Sequence, residues 1–597
     1  MNLPSVGVVV TAALRTARRF PLVLGAAFVA AAVAFAMVGK SGESTELLRL
    51  LLTAILAIPV LLALSLFGER WAASSQWIFP AFGLVVVAGF WAAWPGWYGP
   101  VQALRYVQLA ICFHLLVAYL PHALINEPNG FWQYNRELFE RFLVASLFSA
   151  VLYAGLALAM LALDRLFSVT VGPHGYQRLF ILIAFVFHPW FFLGGIGEAL
   201  AALEGHREYP NGLRVFTQYV LVPIVALYLV ILTLYLGKVV ITRQWPSGWI
   251  GWLVSGVAAT GIFSWLLVRP LEEREGFAWV RPFTKGFYLV LMPSVVMLLM
   301  AIGKRVGQYG VTEPRYFLTV LSVWLAAIAL YFTLSRSRSI KVIPASLCAV
   351  CLVTFAGPLS AYRVSEASQL ARVRDVLLRN DLLAGGRLRP ATREASLADR
   401  MLLSAGFRWL LQNEGVEPIA PWLPDSLRAA VDALHKPSLM GSGEGGAQMI
   451  VAYLKLEYVA VGQPSMGGRF MYWVPSTRDA VAIDGYSYSV RLSNWTPGDT
   501  ARVTDRVTVQ MSADSATLVL WRDGAAVLDI PLTPLLDSAA AFRRRNPGKP
   551  LPNEVMQAAV HAGDVAAKVL LWQASGVRRG AEARMTVFDG QLYVKLP

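Results

Sequence analysis

Gly307-Gln308-Tyr309-Gly310-Val311-Thr312-Glu313-Pro314-Arg315-Tyr316 is a polar connector between two apolar runs, Gly286–Ile302 and Phe317–Leu334. Each run approaches the roughly 20 mostly apolar residues that a helix needs to cross a bilayer. Pro314 can open the second helix at its first position, where a missing N–H costs nothing. Working outward, Glu208-Tyr209-Pro210-Asn211-Gly212, Gln244-Trp245-Pro246 and Ile340-Lys341-Val342-Ile343-Pro344 punctuate the chain in the same manner. Five apolar runs therefore fill Tyr209–Tyr362, and six more precede them.

The runs are Phe20–Val38, Leu50–Phe67, Trp77–Trp94, Val101–Leu120, Phe142–Leu163, Leu179–Gly197, Val215–Leu236, Ile250–Val268, Gly286–Ile302, Phe317–Leu334 and Val342–Tyr362. The expected fold class is an α-helical polytopic membrane bundle of about 11 transmembrane helices with a C-terminal soluble α+β domain. A mean hydropathy of +0.53 and 56% hydrophobic residues agree with that class. The first run is long enough to remain as a helix rather than act as a cleavable signal.

Charge gives an orientation. Residues 1–362 carry 25 Lys/Arg against 14 Asp/Glu, whereas 363–597 carry 27 against 23. Excess cations in the membrane region reflect retention of Lys and Arg in cytoplasmic loops, whereas a nucleic-acid binder concentrates them on a soluble face. With a cytoplasmic N-terminus, fifteen Lys/Arg fall inside and ten outside, and Arg15–Arg19 and Arg336–Lys341 are both inside. An odd number of spans then puts the tail on the non-cytoplasmic side. Arg105 shortens the fourth run, and a re-entrant fourth segment would invert everything after it. Trp91, Trp94, Trp97, Tyr98, Trp245, Trp249 and Trp252 gather at run ends, as an interfacial aromatic belt does. Pro59, Pro189, Pro223, Pro293 and Pro358 can kink the spans that hold them.

From Ser365 the pattern turns soluble. The expected layout is a helical domain over 1–363, an amphipathic connector over 364–390 and an extracytoplasmic α+β domain over 391–597. Helices are expected at Ser368–Leu383, Ala398–Gln412 and Pro531–Phe542. Strands are expected at Phe470–Val474, Tyr486–Leu492, Val503–Met511, Ala516–Trp521 and Ala526–Ile530, and Thr586–Leu596 reads as a hairpin around Asp589-Gly590.

Two constellations are candidate sites. The connectors Lys238–Gly248 and Lys304–Tyr316 share one face and bring Arg243, Trp245, Glu313, Arg315 and Tyr316. Arginine forks suit phosphate or carboxylate, and an indole suits an apolar or sugar face. The alternative is structural, with Glu313 paired to Arg315 or Arg243. Inside the membrane, His188-Pro189 breaks the sixth run, and Glu198 closes it after Gly194, Gly195 and Gly197. Such a break can expose carbonyls to a polar cavity, with Glu198 holding a cation or proton. Alternatively, His188 is hydrogen-bonded within the bundle and Glu198 sits at the interface. Cys348-x-x-Cys351 lies in an apolar run without partner ligands, and Gly441–Gly446 fits G-x-G-x-x-G by letter but follows no strand. No metal or cofactor is expected, and an enzyme is disfavoured.

Tyr209-Pro210-Asn211-Gly212-Leu213-Arg214-Val215-Phe216-Thr217-Gln218-Tyr219, Ile241-Thr242-Arg243-Gln244-Trp245-Pro246, Tyr309–Tyr316 and Ser368-Gln369-Leu370 together resemble a bacterial membrane-protein family catalogued as domain of unknown function 4153. The resemblance implies a multi-span inner-membrane protein and supplies no catalytic residue. The expected partners are membrane lipids, a lipid-linked or anionic envelope substrate, or a periplasmic protein. The expected activity is translocation or presentation of an amphiphilic envelope substrate. The rival is a membrane-anchored sensor or scaffold.

Overall fold

The computed structural model describes residues 6–40, 45–71, 77–94, 99–167, 171–197, 199–242, 249–272, 274, 276–335, 339–434, 443–459, 469–473, 483, 485–493, 499–512, 516–546, 551–579 and 582–597. They form two compact units, Met1–Ser368 and Gln369–Pro597.

Among the described residues, the regular elements of the first unit are all helices. Its elements are α1 (Val6–Arg19), α2 (Pro21–Met37), α3 (Thr45–Trp71), α4 (Ile78–Ala93), α5 (Pro100–Tyr119), α6 (Pro128–Phe167), α7 (Pro173–Leu182) and α8 (His188–Gly194). They continue with α9 (Asn211–Phe216), α10 (Val222–Thr242), α11 (Trp249–Val268), α12 (Val280–Tyr309), α13 (Glu313–Leu334), α14 (Val342–Phe355) and the start of α15 (Ala361–Arg379). Among the described residues, eight helices are long and apolar enough to cross a membrane, and the bent pair α1–α2 would make a ninth. Two shorter apolar helices, α4 and α14, account for the remaining expected runs. Residues such as Leu147, Val151, Leu158, Leu227, Val230, Leu234 and Ile241 stay exposed on these helices, as lipid-facing positions do.

Three breaks have readable causes. α1 turns by 100° into α2 at Phe20-Pro21. α1 is amphipathic, with Val9, Val10 and Leu14 exposed and Arg15, Arg18 and Arg19 towards its end, the composition of a helix lying in a membrane interface. The sixth run is not broken at His188-Pro189: α7 passes into α8 through five π-helical residues, Ile183–Phe187. A second π segment, Thr217–Leu221, links α9 to α10 just before Pro223. Each proline lacks an N–H and crowds the carbonyl four residues back, and the wider π turn before it relieves both. The last run does stop early. α14 ends at Phe355 because Gly357, at φ +83°, and Pro358 break the helix, and only Ala361 and Tyr362 of that run belong to the next one.

The second unit has two cores. The first packs the rest of α15 with α16 (Leu397–Asn413), α17 (Asp425–Leu434) and α18 (Glu444–Tyr453) around Val373, Leu377, Phe407, Leu410 and Ile450; β1 (Leu383–Ala384) and β2 (Arg387–Leu388) form a small ribbon beside it. Gly443 opens α18 in left-handed backbone (φ +60°), and a Cβ there would lie 2.7 Å from the Arg408 carbonyl of α16. Close helix packing thus accounts for this glycine, and what precedes α18 among the described elements is α17, not a strand.

The second core lies between two antiparallel sheets and α19 (Thr533–Arg545). One sheet has the order β5-β6-β7-β8, from β5 (Thr500–Arg502), β6 (Val507–Met511), β7 (Thr517–Arg522) and β8 (Ala525–Pro531). The other has the order β3-β10-β11-β4, with β3 (Arg469–Trp473), β4 (Tyr488–Ser493), β10 (Val565–Arg579) and β11 (Glu582–Lys595), and with β9 (Gln557–Ala562) paired to β10. The hairpin expected around Asp589-Gly590 does not exist. Both residues sit in the middle of β11, with Gly590 opposite Leu571 and a Cβ on it only 2.3 Å from the Leu570 carbonyl. This glycine serves close strand approach at a bulge, not a turn.

Candidate functional site

Side-chain contacts sort the helix ends of the first unit into two groups. At one end, Arg49 of α3 stacks on Trp91 of α4, Tyr106 of α5 reaches the Leu52 carbonyl, and Arg105 of α5 lies 4.4 Å from the ring of Tyr362. α13 begins here, since Tyr316 donates to the Leu359 carbonyl at 2.5 Å.

The polar groups of α5 recur every third residue, as Gln102, Arg105 and Gln108, so an apolar helix presents one polar stripe. Gln108 is saturated: its amide donates to the Cys351 carbonyl and the Thr354 hydroxyl, both at 2.8 Å, and its oxygen accepts from Tyr362 at 2.9 Å. Around it, buried polar atoms lack partners among the described residues: Gln102 Oε1, Arg105 Nε, Glu313 Oε1 and Ser365 Oγ. Glu313 is only 2% exposed. A buried carboxyl oxygen, amide oxygen, guanidinium N–H and hydroxyl left unpaired in one region are costly unless something else pairs them.

The expected site residues divide accordingly. Arg315 donates to the carbonyls of Tyr309 and Gly310, at 3.2 and 2.8 Å, and lies over the Tyr309 ring. It clasps the end of α12, and no ion pair joins it to Glu313 among the described residues. Glu313 and Tyr316 sit within one turn of each other at the start of α13. Arg243, Trp245 and Glu198 lie outside the described residues. His188 is half-buried, 3.3 Å from Ser146 Oγ of α6 and edge-on to Phe142. The Cys348 thiol faces the Cys112 carbonyl across the α5–α14 seam at 3.7 Å, rather than Cys351. Among the described residues no group of three or more His, Cys, Asp and Glu could hold a metal ion.

At the opposite end an ionic network stands out that the sequence reading treated only as loop charge. Arg70, its side chain 4% exposed, pairs with Glu127 and reaches His122 Nε2 at 3.2 Å. Lys341 donates to the carbonyls of His122, at 3.0 Å, and Ile125. Burial pulls the Lys341 ammonium below its ordinary value, with Glu127 opposing. Asn129 holds the carbonyls of Glu204 and His206, and the Glu204 carboxylate accepts from the Gly130 N–H at 2.5 Å. Close by, Arg19 forks onto Glu69 and caps the Ile196 and Gly197 carbonyls. α5 thus runs from Tyr362 at one end of the bundle to Lys341 at the other.

The connectors prove to be joints. Tyr209 donates to the Leu267 carbonyl at 3.0 Å and stacks on Trp132, and the Val311 N–H donates to Ser368 at 2.9 Å. A family model described as a domain of unknown function (DUF4153) matches residues 3–391, which holds the whole helical unit and these joints. The chain belongs to the DUF4153 family. It is also similar to the uncharacterized protein PM1469 of Pasteurella multocida (strain Pm70), 25% identical over 279 residues. That match covers 46% of each chain, so this DUF4153 protein spans less than half the length of that relative. No solved structure matches it.

Proposed function

We propose that this DUF4153 protein handles an amphiphilic, anionic substrate of the bacterial envelope, translocating it or presenting it at the end of the bundle where α5 and α13 begin. The observation that carries this reading is the set of unpaired buried polar atoms beside the Arg105–Tyr362 stack. Arg105 supplies a planar cation for a phosphate or carboxylate, while Glu313 and Gln102 supply acceptors for hydroxyl or amine groups of the same head. The exposed apolar helix flanks suit the tails. In this reading the protein lies in the inner membrane with its N-terminus cytoplasmic and the unit from Gln369 periplasmic, which the fifteen-to-ten Lys/Arg split supports and which puts Arg105 and Glu313 at the outer leaflet.

The test is native mass spectrometry of the full chain in detergent with a polyprenyl phosphate or the matching polyprenyl alcohol. The phosphate should bind and the alcohol should not, and Arg105→Ala should abolish the difference. Equal retention of both by the wild type would sink the reading. A second reading, a sensor or scaffold, is favoured by the unit from Gln369, which has two hydrophobic cores of its own among the described residues.

A further inference from the structure

The outer face of the β5-β6-β7-β8 sheet carries a cleft of about 410 Å³, and we propose that it binds a neutral saccharide. Buried Val507, Val509, Met511, Leu518 and Leu520 point into the core, so the alternate residues of the two central strands face away from it. Thr508 stands opposite Trp521, and Gln510 is the next outward residue on β6. The hairpin ends close the cleft with Asp505, Arg506 and Asp523.

The walls are fixed before any ligand arrives. Asp523-Gly524 form a two-residue turn with φ +49° and +83°, the left-handed pair that suits a twisted hairpin. The Asp523 N–H donates to the Arg506 carbonyl at 2.9 Å, which ties this turn to the one between β5 and β6. Walls already held by backbone hydrogen bonds need little ordering when a ligand enters, and the volume falls in the range of about 300–1,000 Å³ usual for small-ligand sites.

Chemistry narrows the ligand. Trp521 is half-buried, and its indole N–H, shielded from solvent, has no partner among the described residues. The indole ring offers an apolar surface that matches the C–H face of a sugar, and Thr508 and Gln510 beside it offer donors and acceptors for the sugar hydroxyls. Asp505 and Asp523 against Arg506 leave the cleft without the cationic excess that a phosphate needs. An extended peptide is disfavoured as well, because strand addition requires an exposed sheet edge and β6 and β7 are both interior. This inference gives the second reading above a ligand class and does not depend on the helical site.

The experiment is saturation-transfer NMR on the detergent-solubilised full chain with an N-acetylglucosamine trimer, maltotriose and lactose, and with trialanine as the peptide probe. At least one sugar should receive saturation and trialanine none. Trp521→Ala should weaken that sugar's binding by about tenfold, whereas Trp521→Phe should retain it within about threefold. Thr508→Val, on the surface beside the indole, serves as a second variant should Trp521→Ala fail to fold, and it should also weaken binding. No transfer to any sugar, equal transfer in Trp521→Ala, or transfer to trialanine alone overturns the proposal. Polyprenyl phosphate binding should be unchanged by Trp521→Ala and lost in Arg105→Ala, so failure of one site is distinguishable from failure of the other.

Discussion

Tyr362 donates its hydroxyl to Gln108 Oε1 at 2.9 Å, joining two residues 254 positions apart in a buried hydrogen bond. Gln108 also donates to α14, so one side chain holds three segments. Tyr362→Phe leaves the buried Gln108 Oε1 without its donor and should cost about 1–2 kcal/mol. Gln108→Leu strands the Tyr362 hydroxyl and frees the Cys351 carbonyl, and should cost about 2–4 kcal/mol. Thermal unfolding of the detergent-solubilised chain checks the order, and a more damaging Tyr362→Phe would contradict it.

Arg315 tests whether a connector residue serves the fold or a ligand. It donates to the carbonyls of Tyr309 and Gly310, so removing it uncaps α12. Arg315→Ala should lower abundance and any envelope phenotype together, and Arg315→Lys, which can still donate to a carbonyl, should restore much of both. Lost complementation at normal abundance in both variants would instead make Arg315 a ligand fork.

The helical unit was legible because membrane-length apolar runs leave few alternatives, and every expected run falls on a helix. The π turns were not, since a proline in an apolar run reads as a kink or a break until its hydrogen-bond partners are seen. In the candidate site Glu313, Arg315 and Tyr316 were legible as a spelled connector, but the Gln102, Arg105, Gln108 stripe was passed over. Arg105 read as a defect in a span, although polar residues at i, i+3 and i+6 already marked one helix face. The Arg70–His122–Glu127–Lys341 network had no local signal, because it gathers the end of α3, the α5–α6 connector and the start of α14, which are far apart in sequence. Strand β10 was missed for a related reason. It pairs with β3, β9 and β11 and is buried along Val569, Leu570 and Leu571, so it lacks the alternation of a half-exposed strand.

Arg70 anchors that network with its side chain nearly inaccessible. Arg70→Ala leaves the Glu127 carboxylate beside a buried histidine with its main partner gone, and should cost about 3–5 kcal/mol. Lys341→Met removes donors to two carbonyls and a cation more distant from Glu127 than Arg70 is, and should cost less. Abundance in membranes and melting in detergent both report this. Wild-type melting in Arg70→Ala would show the pair to be dispensable.

Asp399 gives the second unit a pH dependence whose sign can be worked out. Burial works against its charge, but hydrogen bonds from Asn380, Arg379 and Ser396 outweigh it and hold the carboxyl below its ordinary 3.8. Asp399 also sits three residues after Ser396, whose hydroxyl accepts the Asp399 N–H and caps α16. Because the folded value is depressed, the unfolded chain takes up the proton first as pH falls. The contribution is therefore complete above the ordinary value and disappears as pH drops through the folded one. Asp399→Asn should melt below wild type at pH 6, and the gap should close towards pH 3. Ser396→Ala removes the cap and one of the three hydrogen bonds to the Asp399 carboxylate. It costs about 1 kcal/mol, should lower melting by roughly 2–4 °C at pH 6, and should keep a deficit at pH 3 because the backbone cap is lost at any pH. Calorimetry of the full chain, following the transition of the unit from Gln369, separates the two variants. A gap for Asp399→Asn that does not change with pH would mean that its charge contributes nothing and that only the hydrogen-bond geometry matters.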